Sequence, residues 1–428
     1  MINRRQFLTR ISLASAAAVL SKPAFSCPDQ NAIDYVTVET AHGRIRGLRT
    51  EGVNIFRGIP YAGKVSGDRR FRRPAALESW TGVRDALRLG NPAIQPPKQT
   101  YGLNEPDPAE DCLFLNVWTP ANDNRKRPVM FYNHGGGFTT GSGGSVSQDG
   151  ANLARFFDVV VVETNHRLGL MGFLFLDDIG GPDYAGSGNN GMLDIADGLA
   201  WVNKNISSFG GDPSNVMIFG ESGGGAKTSC LYAMPAAAPY FNKASIESGP
   251  GVRMTPRDVA AQTTAMLLKE LNIDRQNWKK LLDVPVITLL EMQGKLPSLA
   301  ARHDSNNKKR GIMESSPGGF SPVVDGVALP AHPFDPVAPE ISKDKPLIVG
   351  WNEDEFTFFG MMSGDKSIFN ADFETLTDKM KPQFGEDAEK IIGTYRKTRP
   401  EASATDILVA IMSMNMMGLG SLAIAERK

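Results

Sequence analysis

Ser222 stands in Gly220-Glu221-Ser222-Gly223-Gly224, directly after the apolar run Val216–Phe219 and directly before a stretch of helical composition. A serine on so tight a strand-to-helix reversal presents its hydroxyl outside the fold, and the flanking glycines leave no side chain in its way. The helix start behind it favours negative charge. Such a hydroxyl is suited to attack a carbonyl carbon. A second glycine run, His134-Gly135-Gly136-Gly137-Phe138, follows the strand-like Val129–Asn133 and precedes the serine in the chain. Backbone N–H groups reach a developing oxyanion only where side chains do not block the approach, which is what a bare glycine run behind a strand provides. His134 belongs to that run as a structural residue, not as a base.

The whole stretch Phe209–Gly224, with Phe209-Gly210-Gly211 ahead of its strand, resembles the serine signature of the type-B carboxylesterase and cholinesterase family. A second family signature matches in full at Glu110-Asp111-Cys112-Leu113-Phe114-Leu115-Asn116-Val117-Trp118-Thr119-Pro120, and further matches run from about Phe56 to Glu355. The resemblance implies an α/β-hydrolase fold, with a mostly parallel central sheet flanked by helices. It implies hydrolysis of a small-molecule carboxylic ester by a serine esterase through an acyl-enzyme, with no metal and no cofactor. It puts the nucleophile at Ser222 and the oxyanion-hole amides at Gly136, Gly137 and Gly223. In Gly350-Trp351-Asn352-Glu353-Asp354-Glu355-Phe356 it puts the triad acid at Glu355, whose task would be to hold a histidine in the right tautomer and stabilise its cation. Phe356 departs from the family's glycine and narrows the site. Ser248 matches a buried serine that supports the triad, and Asn165-His166-Arg167 resembles an Asn-Tyr-Arg element with His166 in the tyrosine's place. The cysteine matching Cys112 usually pairs with one upstream, where this chain has Ala93. Loss of that bridge, typically ~2 to 4 kcal/mol, should leave the loop over the site more mobile.

In this fold the order along the chain is serine, acid, histidine. All five histidines, His42, His134, His166, His303 and His332, precede Glu355. Residues 402–428 resemble the helical region ahead of the family's histidine loop, so the expectation is a chain truncated before its general base, with a sheet incomplete at the C-terminus. Without a base the hydroxyl is a poor nucleophile, and comparable triad knockouts cost up to about 10⁶ in turnover. Such a chain should be inactive or weak. The alternative is a catalytically silent, esterase-like binding protein. An intact Ser222, Glu355 and glycine runs favour the esterase, since a binding module has no evident need for them all. A peptidase or lipase on the same fold would use identical machinery.

The elements that must position these residues are legible in outline. The chain has 428 residues, 41% hydrophobic and 22% charged, enough for a large core. Residues 1–26 read as a twin-arginine signal peptide: Asn3-Arg4-Arg5-Gln6-Phe7-Leu8, an apolar run from Ile11 to Leu20, then Ala24-Phe25-Ser26. That implies the twin-arginine export machinery as a partner and a periplasmic or secreted product of residues 27–428, with a lipid-modified Cys27 as the lesser alternative. The remainder is mildly acidic, which argues against nucleic acid. No later stretch reads as a transmembrane segment.

Tyr35–Thr40 and Arg44–Leu48 alternate as edge strands around a turn with a solvent-facing His42. Leu113–Val117, Val129–Asn133 and the buried Val159–Thr164 follow as strands, and Gly191–Asn205 reads as an amphipathic helix leading into the serine strand. Thr255-Pro256-Arg257-Asp258 reads as a capped helix start, with a helix to about Leu271 and helical insertion to Met313. Pro346–Val349 is the strand ahead of Glu355. Arg69, Arg70, Arg72 and Arg73 read as a solvated face with one or two ion pairs. Met412, Met414, Met416 and Met417 read as core or acyl-pocket lining, not a metal box, and Cys27, Cys112 and Cys230 form no disulfide framework.

Overall fold

Residues 34–97, 105–303 and 318–428 are described by a computed structural model, without the side chains of 301–303. The signal-peptide reading, Cys27 and the side chain of His303 lie outside the described residues.

The strands, β1 (Tyr35–Thr40), β2 (Gly43–Thr50), β3 (Val53–Pro60), β4 (Val83–Asp85), β5 (Phe114–Thr119), β6 (Arg127–Tyr132), β7 (Val160–Thr164), β8 (Gly211–Glu221), β9 (Lys243–Glu247) and β12 (Leu347–Gly350), form one 10-stranded sheet. Its order is β1-β2-β3-β5-β7-β6-β8-β9-β12, with β4 beside β2. The sheet is mixed. β1, β2, β3, β5 and β7 run antiparallel in turn, while β7, β6, β8, β9 and β12 are parallel neighbours. Parallel neighbours point their C-terminal ends the same way, so the turns after β6, β8, β9 and β12 gather along one edge. All five residues of β7 are buried, as a strand covered on both faces requires.

Helices Asn190–Asn205 and Gly223–Ala233 bury most of their residues against the sheet. One large core runs from Val38 to Ile424. A second cluster, built on Leu376, Met380, Ile392, Ile407 and Ile411, joins the helices Phe373–Phe384, Ala388–Thr398 and Ala404–Ser413. The last of these opens on a capping box between Ser403 and Asp406.

Several expectations are corrected. Only β1 is an edge at that end, because β2 is flanked by β1 and β3, and His42 is half-buried, stacked on Trp80 at 6.5 Å. The helix Arg257–Glu270 has Pro256 as its N-cap residue and no side-chain cap bond. Thr255 and Pro256 instead form β10, pairing with β11 (Val323–Val324); strand pairing outcompeted the local capping signal.

The arginine cluster is not a solvated face. Arg70 is 6% exposed, pairs with Glu110 at 2.6 Å and donates to the carbonyls of Leu282 and Val284, while Arg72 and Arg73 pair with Asp183 and Asp197. The stretch Ala404–Arg427, 24 residues, is long and apolar enough to cross a membrane, but 56% of its apolar window is buried. Ile407 and Ile411 fill the second cluster and Ile424 the main core. The density of apolar residues here serves packing on two cores.

Candidate active site

Ser222 follows β8 at once and precedes the helix Gly223–Ala233, with φ 57° and ψ −123°. A non-glycine residue in that region is strained and persists only where its surroundings over-determine it. They do so here. The Ser222 amide donates to the carbonyl of Glu247 at 2.9 Å, tying the bend to β9, and a Cβ on Gly224 would meet the Asn133 carbonyl oxygen at 2.0 Å. The helix therefore begins hard against the end of β6.

The glycine run after β6 lies beside that bend. A Cβ on Gly135 would stand 3.7 Å from the Ser222 Cβ, and one on Gly223 would stand 2.3 Å from the Gly137 amide nitrogen. Gly136 and Gly137 take φ of +82° and +61°. Among the described residues neither amide donates in a recorded backbone bond, and Gly223, first in its helix, has no intrahelical acceptor for its own. Gly135 thus lies beside Ser222 and Gly223 beside Gly137, and among the described residues the amides of Gly136, Gly137 and Gly223 have no backbone acceptor.

Glu355 begins the helix Glu355–Ser363, just beyond β12, and is buried. Its Oε1 accepts from the Ser248 hydroxyl, from the Asn352 amide at 2.9 Å and from Asn352 Nδ2 at 3.2 Å. Ser248 sits just past β9 with φ +46°, its amide donating to the Gly350 carbonyl. All recorded bonds to the carboxylate fall on Oε1, leaving Oε2 for another donor. Burial raises the Glu221 pKa, helped by the carboxylates of Glu355 and Glu247. Glu221 ends β8, Glu247 ends β9 and Glu355 follows β12.

The described histidines are engaged elsewhere. His134 and His166 stack at 4.7 Å beneath the glycine run, with Nδ1 atoms facing the carbonyls of Gly135 and Arg167. Burial holds the His166 pKa well below its usual value. His332 Nδ1 accepts from the Met254 amide. Among the described residues, none stands against Glu355.

The Asn165-His166-Arg167 element is anchored by a buried ion pair: Arg167 meets both carboxylate oxygens of Asp194, at 2.8 and 2.7 Å. Asn352 was missed in the sequence as a holder of the acid, although it lies inside the quoted motif. Lys227 was missed altogether; its one signal is a lysine amid small and apolar residues in the helix Gly223–Ala233. Phe356 donates its amide to the Ser413 hydroxyl, and the methionines Met414, Met416 and Met417 are half-buried in a π-helical turn, Met414–Gly418. Cys112 and Cys230 are free, buried thiols. A cavity of about 650 Å³ is lined by Arg57, Leu89, Trp118, Gly143 and Asp149 and includes neither Ser222 nor Glu355.

A mixed sheet with a strained serine turn at one strand end and an acid two strands along is the α/β-hydrolase fold, and the class it defines here is carboxylic ester hydrolase. The chain belongs to the carboxylesterase family, whose sequence model matches residues 34–425. It is 37% identical over 365 residues to para-nitrobenzyl esterase of Bacillus subtilis (strain 168), covering 84% of this chain and 71% of that one. It is 31% identical over 413 residues to fumonisin B1 esterase of Sphingopyxis macrogoltabida, covering 95% of this chain and 71% of that one. Among solved structures, the Geobacillus stearothermophilus carboxylesterase EST55 superimposes with a TM-score of 0.75 at 34% identity, over 91% of this chain and 77% of its own.

Proposed function

We propose that Ser222 is the nucleophile that attacks the ester carbonyl. The amides of Gly136, Gly137 and Gly223 receive the oxyanion, the alcohol leaves, and water clears the acyl-enzyme. Glu355 orients a histidine base through its free Oε2. One observation carries the reading: the run Gly135–Gly137 lies beside Ser222, itself at positive φ, and the amides of Gly136, Gly137 and Gly223 have no backbone acceptor among the described residues. The substrate is a small carboxylic ester, and no group in the proposed reaction calls for a metal or cofactor.

No histidine among the described residues supports the Oε2 position, so the polypeptide 1–428 by itself should turn over esters slowly. The test is hydrolysis of a nitrophenyl ester by this polypeptide beside Ser222→Ala. A rate that disappears with Ser222→Ala supports the assignment; equal, measurable rates in the two proteins overturn it, and equal, negligible rates support the catalytically silent reading of this polypeptide.

The Arg4-Arg5 pair and the apolar run after it support export through the twin-arginine machinery to the periplasm or medium. Replacing both arginines by lysine should retain the protein in the cytoplasm, and undiminished export would refute the reading.

A further inference from the structure

The helix Gly223–Ala233 carries one basic residue, Lys227, and the reaction does not use it. Lys227 is fully buried, and among the described residues no carboxylate is recorded against it. Lysine is almost never buried unless paired, because desolvating an ammonium is costly. Burial pulls its pKa from 10.5 to about 7. An apolar side chain there would avoid that cost, so its contacts matter.

The Lys227 Nζ donates to the His134 carbonyl at 2.7 Å and reaches the Gly135 carbonyl at 3.4 Å. His134 Nδ1 faces the same Gly135 oxygen at 2.9 Å. The Lys227 Nζ also lies 3.5 Å from that nitrogen. The His134 ring is fixed from behind by stacking on His166, 14° from parallel.

These two carbonyls share their peptide planes with the amides of Gly135 and Gly136. In a trans peptide the C=O and N–H point in opposite directions. Drawing both oxygens towards the helix therefore turns both N–H groups away from it. Gly135 lies on the serine side, its would-be Cβ 3.7 Å from that of Ser222. Glycine, with φ free to take either sign, cannot hold such an orientation unaided.

We propose that Lys227 is a positioning residue for the oxyanion hole: it grips the His134 and Gly135 carbonyls from inside the fold and so aims the Gly136 amide at the oxygen that becomes negative. The inference rests on the reading of Ser222 as nucleophile. It acts through the peptide planes and touches no substrate.

The test compares the unmodified protein with Lys227→Met, which keeps the length and loses the donor, and Lys227→Gln, which keeps a donor. Amide exchange is read over 134–138 and, as an internal control, over β6. Lys227→Met should exchange faster by about tenfold or more in 134–138 and not in β6, and lower the Ser222-dependent kcat by about tenfold with KM unchanged. Lys227→Gln should fall between, and it carries the comparison alone if Lys227→Met does not fold. Unchanged exchange in 134–138, or an equal rise in β6, overturns the proposal. If no protein shows Ser222-dependent turnover, this polypeptide is catalytically silent, and the exchange data alone decide whether Lys227 holds the loop.

Discussion

The Ser248 hydroxyl donates to Oε1 of Glu355 across the β9–β12 boundary. Both residues lie just past their strands, so strand pairing itself sets their separation. Ser248→Ala would leave Glu355 with only the Asn352 donors on that oxygen. The expected loss is about 1 to 3 kcal/mol of stability, the price of a buried acceptor left short of a partner. Denaturant melting of Ser248→Ala checks it, and an unchanged midpoint would show the bond contributes nothing.

If Glu355 presents Oε2 to a base, added imidazole should act as that base. Ser222-dependent ester hydrolysis by the polypeptide 1–428 should rise with imidazole concentration, well beyond the imidazole-only background. Glu355→Gln should lose most of the rise, since it cannot stabilise the imidazolium. Rates measured with Ser222→Ala subtracted give the answer directly.

Gly136 and Gly137 differ in a way that mutation can read. A Cβ on Gly136 would meet the Thr140 carbonyl oxygen at 2.4 Å, whereas nothing lies within 4 Å of one on Gly137. Gly137→Ala should cost only its left-handed backbone, about 1 to 2 kcal/mol. Gly136→Ala adds a clash with backbone and should also cost about 10² to 10³ in the Ser222-dependent rate as its amide is displaced. Paired melting curves and rates separate the two effects.

Lys227 also predicts a pH dependence. Folded, its pKa lies near about 7 against 10.5 for the free amine. Between those values the unfolded chain binds more protons, so the folded state gains stability as pH rises. Below the lower value both states are protonated and the cost of the buried charge is constant. The stability of the unmodified protein minus that of Lys227→Met should therefore climb from neutral towards pH 10, by up to ~1.4 kcal/mol per unit. A difference that stays flat across that interval would contradict it.

Arg167 and Asp194 are 3% and 0% exposed and doubly hydrogen-bonded. Asp194→Ala should cost about 3 to 5 kcal/mol by stranding a buried guanidinium. The double change with Arg167→Met should cost less than Asp194→Ala alone. Chemical denaturation of the three proteins completes the cycle.

Much of the fold was legible because local pattern and tertiary role agreed. The apolar runs at Val160–Thr164 and Val216–Phe219 can only be covered strands, and Gly220–Gly224 can only be a tight reversal. The motifs that hold Glu355 and the glycines at 136, 137 and 223 are likewise local in the chain. Misreadings arose where short-range chemistry competed with distant partners. Thr255 looked like a cap and became a strand, and Arg70 looked solvated until the Leu282 and Val284 carbonyls were found around it.

The one-dimensional order of residues thus determined which groups could do chemistry: a serine at a bend, glycines without side chains, an acid after a strand. It did not determine what stands behind them. That Lys227 reaches the His134 carbonyl and that Ser248 and Asn352 share one oxygen of Glu355 depend on β6, β8, β9 and β12 lying side by side. Motif spacing is written locally along the backbone. Hydrogen bonds between residues 93 or 107 positions apart depend on register and burial, which only the folded chain settles.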